Sequence, residues 1–235
     1  MQSIYYAKKD SLGVVMFMGR KNCSYSKRIK KLLKKNSKKF YFFESNKIGE
    51  KINKRYFKFS YDYIFCFRSF YILKKSILKK VSKSAINFHP GPPEFRGSGC
   101  VNYALYQNSK FYGCTAHIID KKIDNGKIID VRKFKISRKD SVSNVLKKTY
   151  KTMSLQAFAL IRNIIKKPNF IKKQIFKNKK LNWSKKIKTM KSLDNFYQID
   201  INTKKKDFLN KIRATNTKKF KPYIKLYGKK FFLER

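Results

Sequence analysis

Acidic residues are scarce in this chain. Thirteen Asp and Glu face 60 Lys and Arg among 235 residues, so the formal net charge at pH 7 is +47. A balance this basic favours a polyanionic partner such as nucleic acid. However, the basic residues are spread along the whole chain, and only ten are Arg, on which base recognition depends. Lys, Asn, Ile, Phe and Tyr are all abundant, which is typical of an A+T-rich genome. We therefore attribute the positive charge to codon bias and to binding of small anionic substrates. A nucleic-acid partner is disfavoured, although the charge does not exclude it.

Paired cysteines and long apolar runs are also missing. Cys23, Cys66, Cys100 and Cys114 form no Cys-x-x-Cys pair, which disfavours a metal site or a disulfide framework and favours a reducing compartment. No apolar run approaches the ~18 residues of a membrane span. The first ten residues lack the charge-then-apolar order of a signal peptide. We expect a cytoplasmic protein without membrane contact and without a metal ion.

Glycine is sparse, and the first strand-to-helix junction carries no phosphate-cradling motif. Gly19-Arg20-Lys21-Asn22 stands where a dinucleotide-binding protein would have Gly-x-Gly-x-x-Gly. A dinucleotide cofactor is therefore disfavoured.

Short apolar runs alternate with amphipathic segments in the first part of the chain. The pattern predicts strands over 13–19, 40–43, 63–67 and 85–89, with helices over 24–35 and near 74–80. This alternation predicts an α/β fold, with a Rossmann-like, mostly parallel sheet and helices on both faces. Such sheets bind ligands beyond the carboxyl ends of their strands.

The second half of the chain predicts a helix over 97–108, strands over 113–119 and 127–136, and a long helix that begins after Ser141 and ends before Pro168. The pattern weakens near 177–180, so we expect a catalytic domain over 1–178. Residues 179–235 are then a small C-terminal α+β appendage with one helix and a terminal hairpin around Tyr227-Gly228. Apolar segments in this appendage could pair with those of a second copy, so a homodimer is one possible assembly.

There are only two histidines, and one of them stands in a distinctive setting. In a strand over 85–89, Asn87 and His89 point to the same face. Asp124, in the turn Asp124-Asn125-Gly126, would orient the imidazole. An amide donor, a proton acceptor and a carboxylate are what acyl transfer to an amine needs. On these residues alone, a structural role for His89 and a turn role for Asp124 stay open, and we assign His117 to the core.

Three segments together carry a family resemblance. Residues 86–97, the strand start Gly113-Cys114-Thr115 and the turn at 123–126 resemble the folate-dependent formyltransferase family. That family includes methionyl-tRNA formyltransferase, glycinamide ribonucleotide transformylase and the sugar-nucleotide N-formyltransferases. Its core motif, Asn-x-His with a downstream Asp-x-Gly, is matched by Asn87, His89 and Asp124. The resemblance is strong over 63–136 and weak over 212–233.

Departures within the motif favour the sugar-nucleotide branch. Gly91-Pro92-Pro93-Glu94 replaces the Ser-Leu-Leu-Pro that is usual in the tRNA enzymes, and fewer than ~60 residues remain for their terminal barrel. The resemblance implies direct formyl transfer from 10-formyltetrahydrofolate to the amine of a nucleotide-linked amino sugar, in cell-surface polysaccharide biosynthesis. It implies that Asn87 donates a hydrogen bond to the developing oxyanion and that His89 takes the proton from the attacking amine or stabilises the intermediate as imidazolium. Asp124 would orient the His89 ring.

The resemblance also implies where the substrates bind. Folate would lie against Phe67, Arg68 and Ser69 and near Gly91, Pro92 and Pro93, while Trp183 either holds the nucleotide or is structural. One alternative is a truncated methionyl-tRNA formyltransferase, favoured by the net charge. Another is a non-catalytic basic nucleic-acid-binding protein, disfavoured by the intact Asn-x-His and Asp.

Overall fold

The computed structural model describes residues 11–167, 169–217 and 220–234. The chain start, for which the sequence predicts no signal peptide, lies outside these residues. The ten strands that the described part contains are β1 Val14–Arg20, β2 Lys39–Ser45, β3 Tyr61–Phe67, β4 Val81–His89, β5 Arg96–Gly97, β6 Phe111–Ile118, β7 Ile128–Lys135, β8 Ile187–Lys188, β9 Tyr223–Leu226 and β10 Lys229–Phe232. The α-helices are α1 Ser24–Lys35, α2 Lys75–Leu78, α3 Cys100–Tyr106, α4 Val142–Lys166, α5 Phe170–Lys177, α6 Met190–Tyr197 and α7 Lys205–Thr215.

The central sheet has six strands in the order β2-β1-β3-β4-β6-β7. The first four are parallel, whereas β4 pairs with β6, and β6 with β7, in antiparallel fashion. The predicted mostly parallel α/β sheet is therefore confirmed. Strands β1, β3 and β4 are neighbours in the sheet and run in the same direction. Their carboxyl ends therefore lie at the same edge of the sheet.

Successive side chains of the strands pack alternately into two hydrophobic cores, one on each face of the sheet. Val15 and Phe17 of β1 pack with α1 and α4, whereas Met16 and Met18 of the same strand face the 3-10 turn Lys54–Lys58 and α2. The long helix α4 begins where predicted, since the Ser141 side chain accepts a hydrogen bond from the Asn144 amide. None of the described helices is long and apolar enough to cross a membrane.

The C-terminal segment packs against α3 and the strands that follow β4. Asn102 of α3 donates to the Ala214 carbonyl at 2.6 Å, and Arg213 donates to the Ser137 carbonyl at 2.8 Å. The predicted terminal hairpin is confirmed as β9 and β10. The prediction of one helix in this segment is wrong, because both α6 and α7 are present. A capping box at Thr189 starts α6, with reciprocal side-chain and backbone bonds to Ser192.

Candidate active site

Asn87 and His89 lie together at the carboxyl end of β4. They face the same side of the sheet, as the two-residue spacing predicts. The antiparallel register places His117 of β6 opposite Asn87, and Thr115 opposite His89. The ends of β4 and β6 therefore bring both histidines of the chain to one point.

Asp124 reaches this point from the hairpin between β6 and β7. Its backbone is left-handed, with φ of 44°, a conformation that Asp tolerates better than most residues. Its Oδ2 lies 3.3 Å from Nδ1 of His89, and its Oδ1 lies 3.5 Å from both Nδ2 of Asn87 and Nε2 of His117. The structure therefore brings the three predicted residues together. Asn87, His89, His117 and Asp124 are called the four-residue cluster below.

His117 is the residue of this cluster that sequence reasoning missed. Its Nδ1 lies 2.7 Å from the Ile118 carbonyl oxygen and donates to it. Its Nε2 is then an acceptor for the Asn87 amide at 3.1 Å. His117 precedes Asp124 by seven residues on a strand that pairs with the Asn-x-His strand, and that pairing was the missing signal.

Two acceptors face the His89 ring, one at each nitrogen. Asp124 lies at Nδ1, and the Phe95 carbonyl oxygen lies 3.2 Å from Nε2. Burial lowers the pKa of His89, and although Asp124 pulls in the opposite direction, the pKa stays below the usual 6.5. The ring is therefore neutral at neutral pH. When the ring takes a second proton, the resulting imidazolium has an acceptor at each nitrogen, Asp124 at Nδ1 and the Phe95 carbonyl at Nε2.

Asp124 is held in its charged form by the same cluster. Burial raises the pKa of its carboxyl group, but the neighbouring groups, with His89 first and Arg96 among them, outweigh burial and keep that pKa below its usual range. A buried carboxylate beside an imidazole fixes the tautomer of the ring and stabilises the imidazolium. The cluster can therefore offer an amide donor and move one proton.

The loop after His89 is a buried turn. Thr115 donates to the Gly91 carbonyl at 2.8 Å, and the Phe95 amide donates to the Pro92 carbonyl at 2.9 Å. Gly91 has no room for a side chain, since a Cβ would lie 2.9 Å from Nε2 of His89. Gly91, Pro92 and Pro93, to which the resemblance assigns folate contacts, do not line the first cavity described below and instead belong to the turn that supports His89.

A first cavity of about 460 Å³ opens in front of the cluster. Arg68 and Ser69, to which the resemblance assigns folate contacts, line this cavity together with Phe70 and Tyr71. Phe67 does not line it, since its side chain is fully buried and packs near Phe88 in the core.

Two arginines form one wall of this first cavity. The Arg20 guanidinium lies 3.3 Å from the Phe70 ring centroid, and that of Arg68 lies 3.6 Å from the Tyr150 centroid. Arg68 also donates to the Cys23 sulfur at 3.3 Å. Stacked guanidinium groups suit anionic or planar ligands.

A second cavity of about 840 Å³ shares Phe70, Pro90 and Tyr150 with the first. Its far side is formed by the C-terminal segment. The aromatic and basic side chains there include Tyr197, Lys221, Tyr223, Lys230 and Phe232. Two cavities that share a wall at Pro90, next to His89, suit a reaction between two substrates.

No group of three or more His, Cys, Asp and Glu in the described part of the chain is arranged to hold a metal ion. The four cysteines are buried and free. Burial raises the pKa of the Cys100 thiol to about 12, so this neighbour of His89 stays protonated.

Comparisons with known proteins bear on this site. The family model described as formyl transferase matches residues 12–160. The chain is similar to the bifunctional polymyxin resistance protein ArnA of Wigglesworthia glossinidia brevipalpis, with 36% identity over 88 residues. That match covers 37% of this chain and only 14% of the relative, so the chain spans a small part of that protein.

Two solved structures share the fold along almost the whole chain. A 4-N formyltransferase from Francisella tularensis superposes with a TM-score of 0.73 at 19% identity, covering 94% of this chain and 96% of that one. An N-formyltransferase from Helicobacter canadensis, in complex with folinic acid and dTDP-3-aminofucose, gives 0.67 at 16% identity, covering 92% and 85%. The family model matches more than half of the chain, so the chain belongs to the formyl transferase family.

Proposed function

We propose that this protein is an N-formyltransferase that moves a formyl group from 10-formyltetrahydrofolate to the amine of a nucleotide-linked amino sugar. The observation that carries the proposal is the contact of Asn87, His89 and Asp124 in the wall of the first cavity, next to Pro90, which lines both cavities. The likeness to formyltransferase structures that include one with a dTDP-linked amino sugar supports this choice of acceptor.

The first cavity fits the donor. Formyltetrahydrofolate joins a planar ring system to an anionic glutamate tail. Phe70 and Tyr71 offer aromatic walls, and Arg20 and Arg68 offer positive charge. Arg68 and Ser69 are therefore proposed as folate contacts, whereas Phe67, Gly91, Pro92 and Pro93 act by supporting the site. When bound, the donor supplies the formyl group, whose bond to the folate nitrogen is replaced by a bond to the acceptor amine.

The four-residue cluster supplies the oxyanion donor and the proton acceptor. Asn87 already donates to His117 at 3.1 Å, and its longer contact with Asp124, at 3.5 Å, is the one that an oxyanion can replace. His89 takes up the proton that the attacking amine loses, and the resulting imidazolium donates to Asp124 from Nδ1 and to the Phe95 carbonyl from Nε2. Asp124 stabilises the imidazolium from the other side. The proton then leaves with the folate nitrogen.

The second cavity is proposed to hold the acceptor. Its aromatic side chains suit a nucleobase, and Lys221 and Lys230 suit a diphosphate. A truncated methionyl-tRNA formyltransferase is the second candidate, because the net charge of +47 also suits tRNA.

An acceptor panel tests the proposal. The protein is incubated with 10-formyltetrahydrofolate and, in parallel, with nucleotide-linked amino sugars and methionyl-tRNA, and each acceptor is analysed by mass for one gained formyl group. We expect formylation of one sugar nucleotide and none of the tRNA. Formylation of tRNA alone would contradict the proposal and favour the second candidate.

A further inference from the structure

The only tryptophan of the chain lies against the four-residue cluster. The ring centroid of Trp183 is 5.6 Å from that of His89 and 5.0 Å from that of His117, with interplanar angles of 77° and 82°. Trp183 lines neither of the two cavities described above. The position of Trp183 therefore favours a role beside the imidazoles over a role in nucleotide binding.

Trp183 and its neighbour join two loops, the hairpin that carries Asp124 and the turn that follows His89. The indole N–H donates to the Gly126 carbonyl at 2.9 Å, in the hairpin of Asp124. The Ser184 amide donates to the Pro93 carbonyl at 2.9 Å, in the turn that follows His89. A side chain at Gly126 would overlap with the Ile118 carbonyl, so the hairpin is closely packed at this contact.

We propose that Trp183 is a positioning residue of the formyl-transfer site, which fixes the two loops and keeps water away from the imidazoles. An edge-to-face ring pair limits the rotation of both partners. This proposal rests on the proposed function in one respect, which is that turnover depends on the orientation of His89. The contacts of Trp183 do not depend on the identity of the acceptor.

Loss of the indole should change how His89 titrates. The polar groups that face His89 are Asp124 from the hairpin, His117 from β6, Cys100 from α3 and the Phe95 carbonyl. Their side chains and charges remain when only Trp183 is replaced. Burial is the largest cause that lowers the pKa of His89. Water admitted at the position of the indole should therefore raise that pKa towards 6.5.

The test is a pH titration of the imidazole nitrogens by NMR. Because the chain has only two histidines, the signals of the two rings are easily distinguished. Wild type is compared with Trp183→Leu and Trp183→Phe, and the spectrum of His117→Gln assigns the rings. Leu181→Ala, an exposed site two residues away, is the matched control. We expect Trp183→Leu to raise the midpoint of His89 by at least about half a pH unit, a threefold change in proton affinity. Trp183→Phe, which keeps an aromatic ring but loses the hydrogen bond to Gly126, should shift the midpoint less, and the control should stay close to wild type.

Turnover provides the second readout. Trp183→Leu should lower kcat about tenfold or more at nearly unchanged KM, and Trp183→Phe should retain more of kcat than Trp183→Leu because it keeps the ring contacts with the imidazoles. If Trp183→Leu does not fold, Trp183→Met replaces it. An unchanged His89 midpoint in the folded variant would overturn the proposal. The titration needs no substrate, so a shift without any formyl transfer would support Trp183 as a positioning residue and count against the proposed function alone.

Discussion

His89→Ala is expected to lower kcat for formyl transfer about 10²- to 10⁴-fold, the usual loss when a general base is removed. The reason is that the His89 ring is the proton acceptor of the cluster, with a carboxylate oxygen of Asp124 at 3.3 Å from its Nδ1. Both KM values should stay close to wild type, since neither substrate is held chiefly by this ring. Steady-state kinetics with the acceptor identified by the panel provides the measurement.

Two controls separate chemistry from folding in His89→Ala. The variant should keep the circular dichroism of wild type, and added imidazole should restore part of kcat by occupying the vacated site. In wild type, kcat/KM should rise with pH along a limb with its midpoint below 6.5, because the lowered pKa of His89 makes the ring neutral above that point. His89→Ala should lack this limb. Wild-type kcat in the variant would rule out His89 as the base.

Asn87→Ala is expected to lower kcat about 10²- to 10³-fold, or roughly 3 kcal/mol of transition-state stabilisation. The amide of Asn87 is the side-chain donor in the cluster that can turn to a developing oxyanion, since its 3.5 Å contact with Asp124 is readily exchanged. The loss should appear in kcat and kcat/KM alike, because the oxyanion exists only in the transition state. Single-turnover rates at saturating substrates measure this loss directly.

The matched control for Asn87→Ala is Asn125→Ala. It makes the same chemical change next to Asp124, at an exposed position. This control should keep wild-type rates. If Asn87→Ala and Asn125→Ala behaved alike, the oxyanion role of Asn87 would be excluded.

The core of the site could be predicted because its chemistry is local in sequence. Asn87 and His89 are two residues apart on one strand, and period-two alternation alone places them on one face. The family resemblance then identified Asp124, which the structure places within 3.5 Å of both. Helix α1 and the terminal hairpin followed from equally local patterns.

The parts that were missed depend on contacts between distant segments. His117 enters the site because β6 pairs with β4, and Trp183 enters it because a C-terminal segment returns to the hairpin of Asp124. Neither pairing is encoded in the residues next to the histidine or the tryptophan. Helix α6 was missed for another reason: its Thr189 and Ser192 form a capping box without the usual Glu or Gln.

The division into residues 1–178 and 179–235 stays a prediction. Helix α5 ends at Lys177, close to the expected linker, but residues beyond it contact the four-residue cluster through Trp183. We propose that the C-terminal segment is part of the working site. Its aromatic side chains also complete the second cavity.

The most direct measurement of the central claim follows the formyl group itself. With the formyl carbon of 10-formyltetrahydrofolate labelled, a single turnover is quenched and the label is divided between the acceptor and free formate. We predict that the label appears as an amide on the sugar amine, at a rate that falls in both Asn87→Ala and His89→Ala. Label released only as formate, with the amine unmodified, would mean that water is the acceptor and would contradict the account.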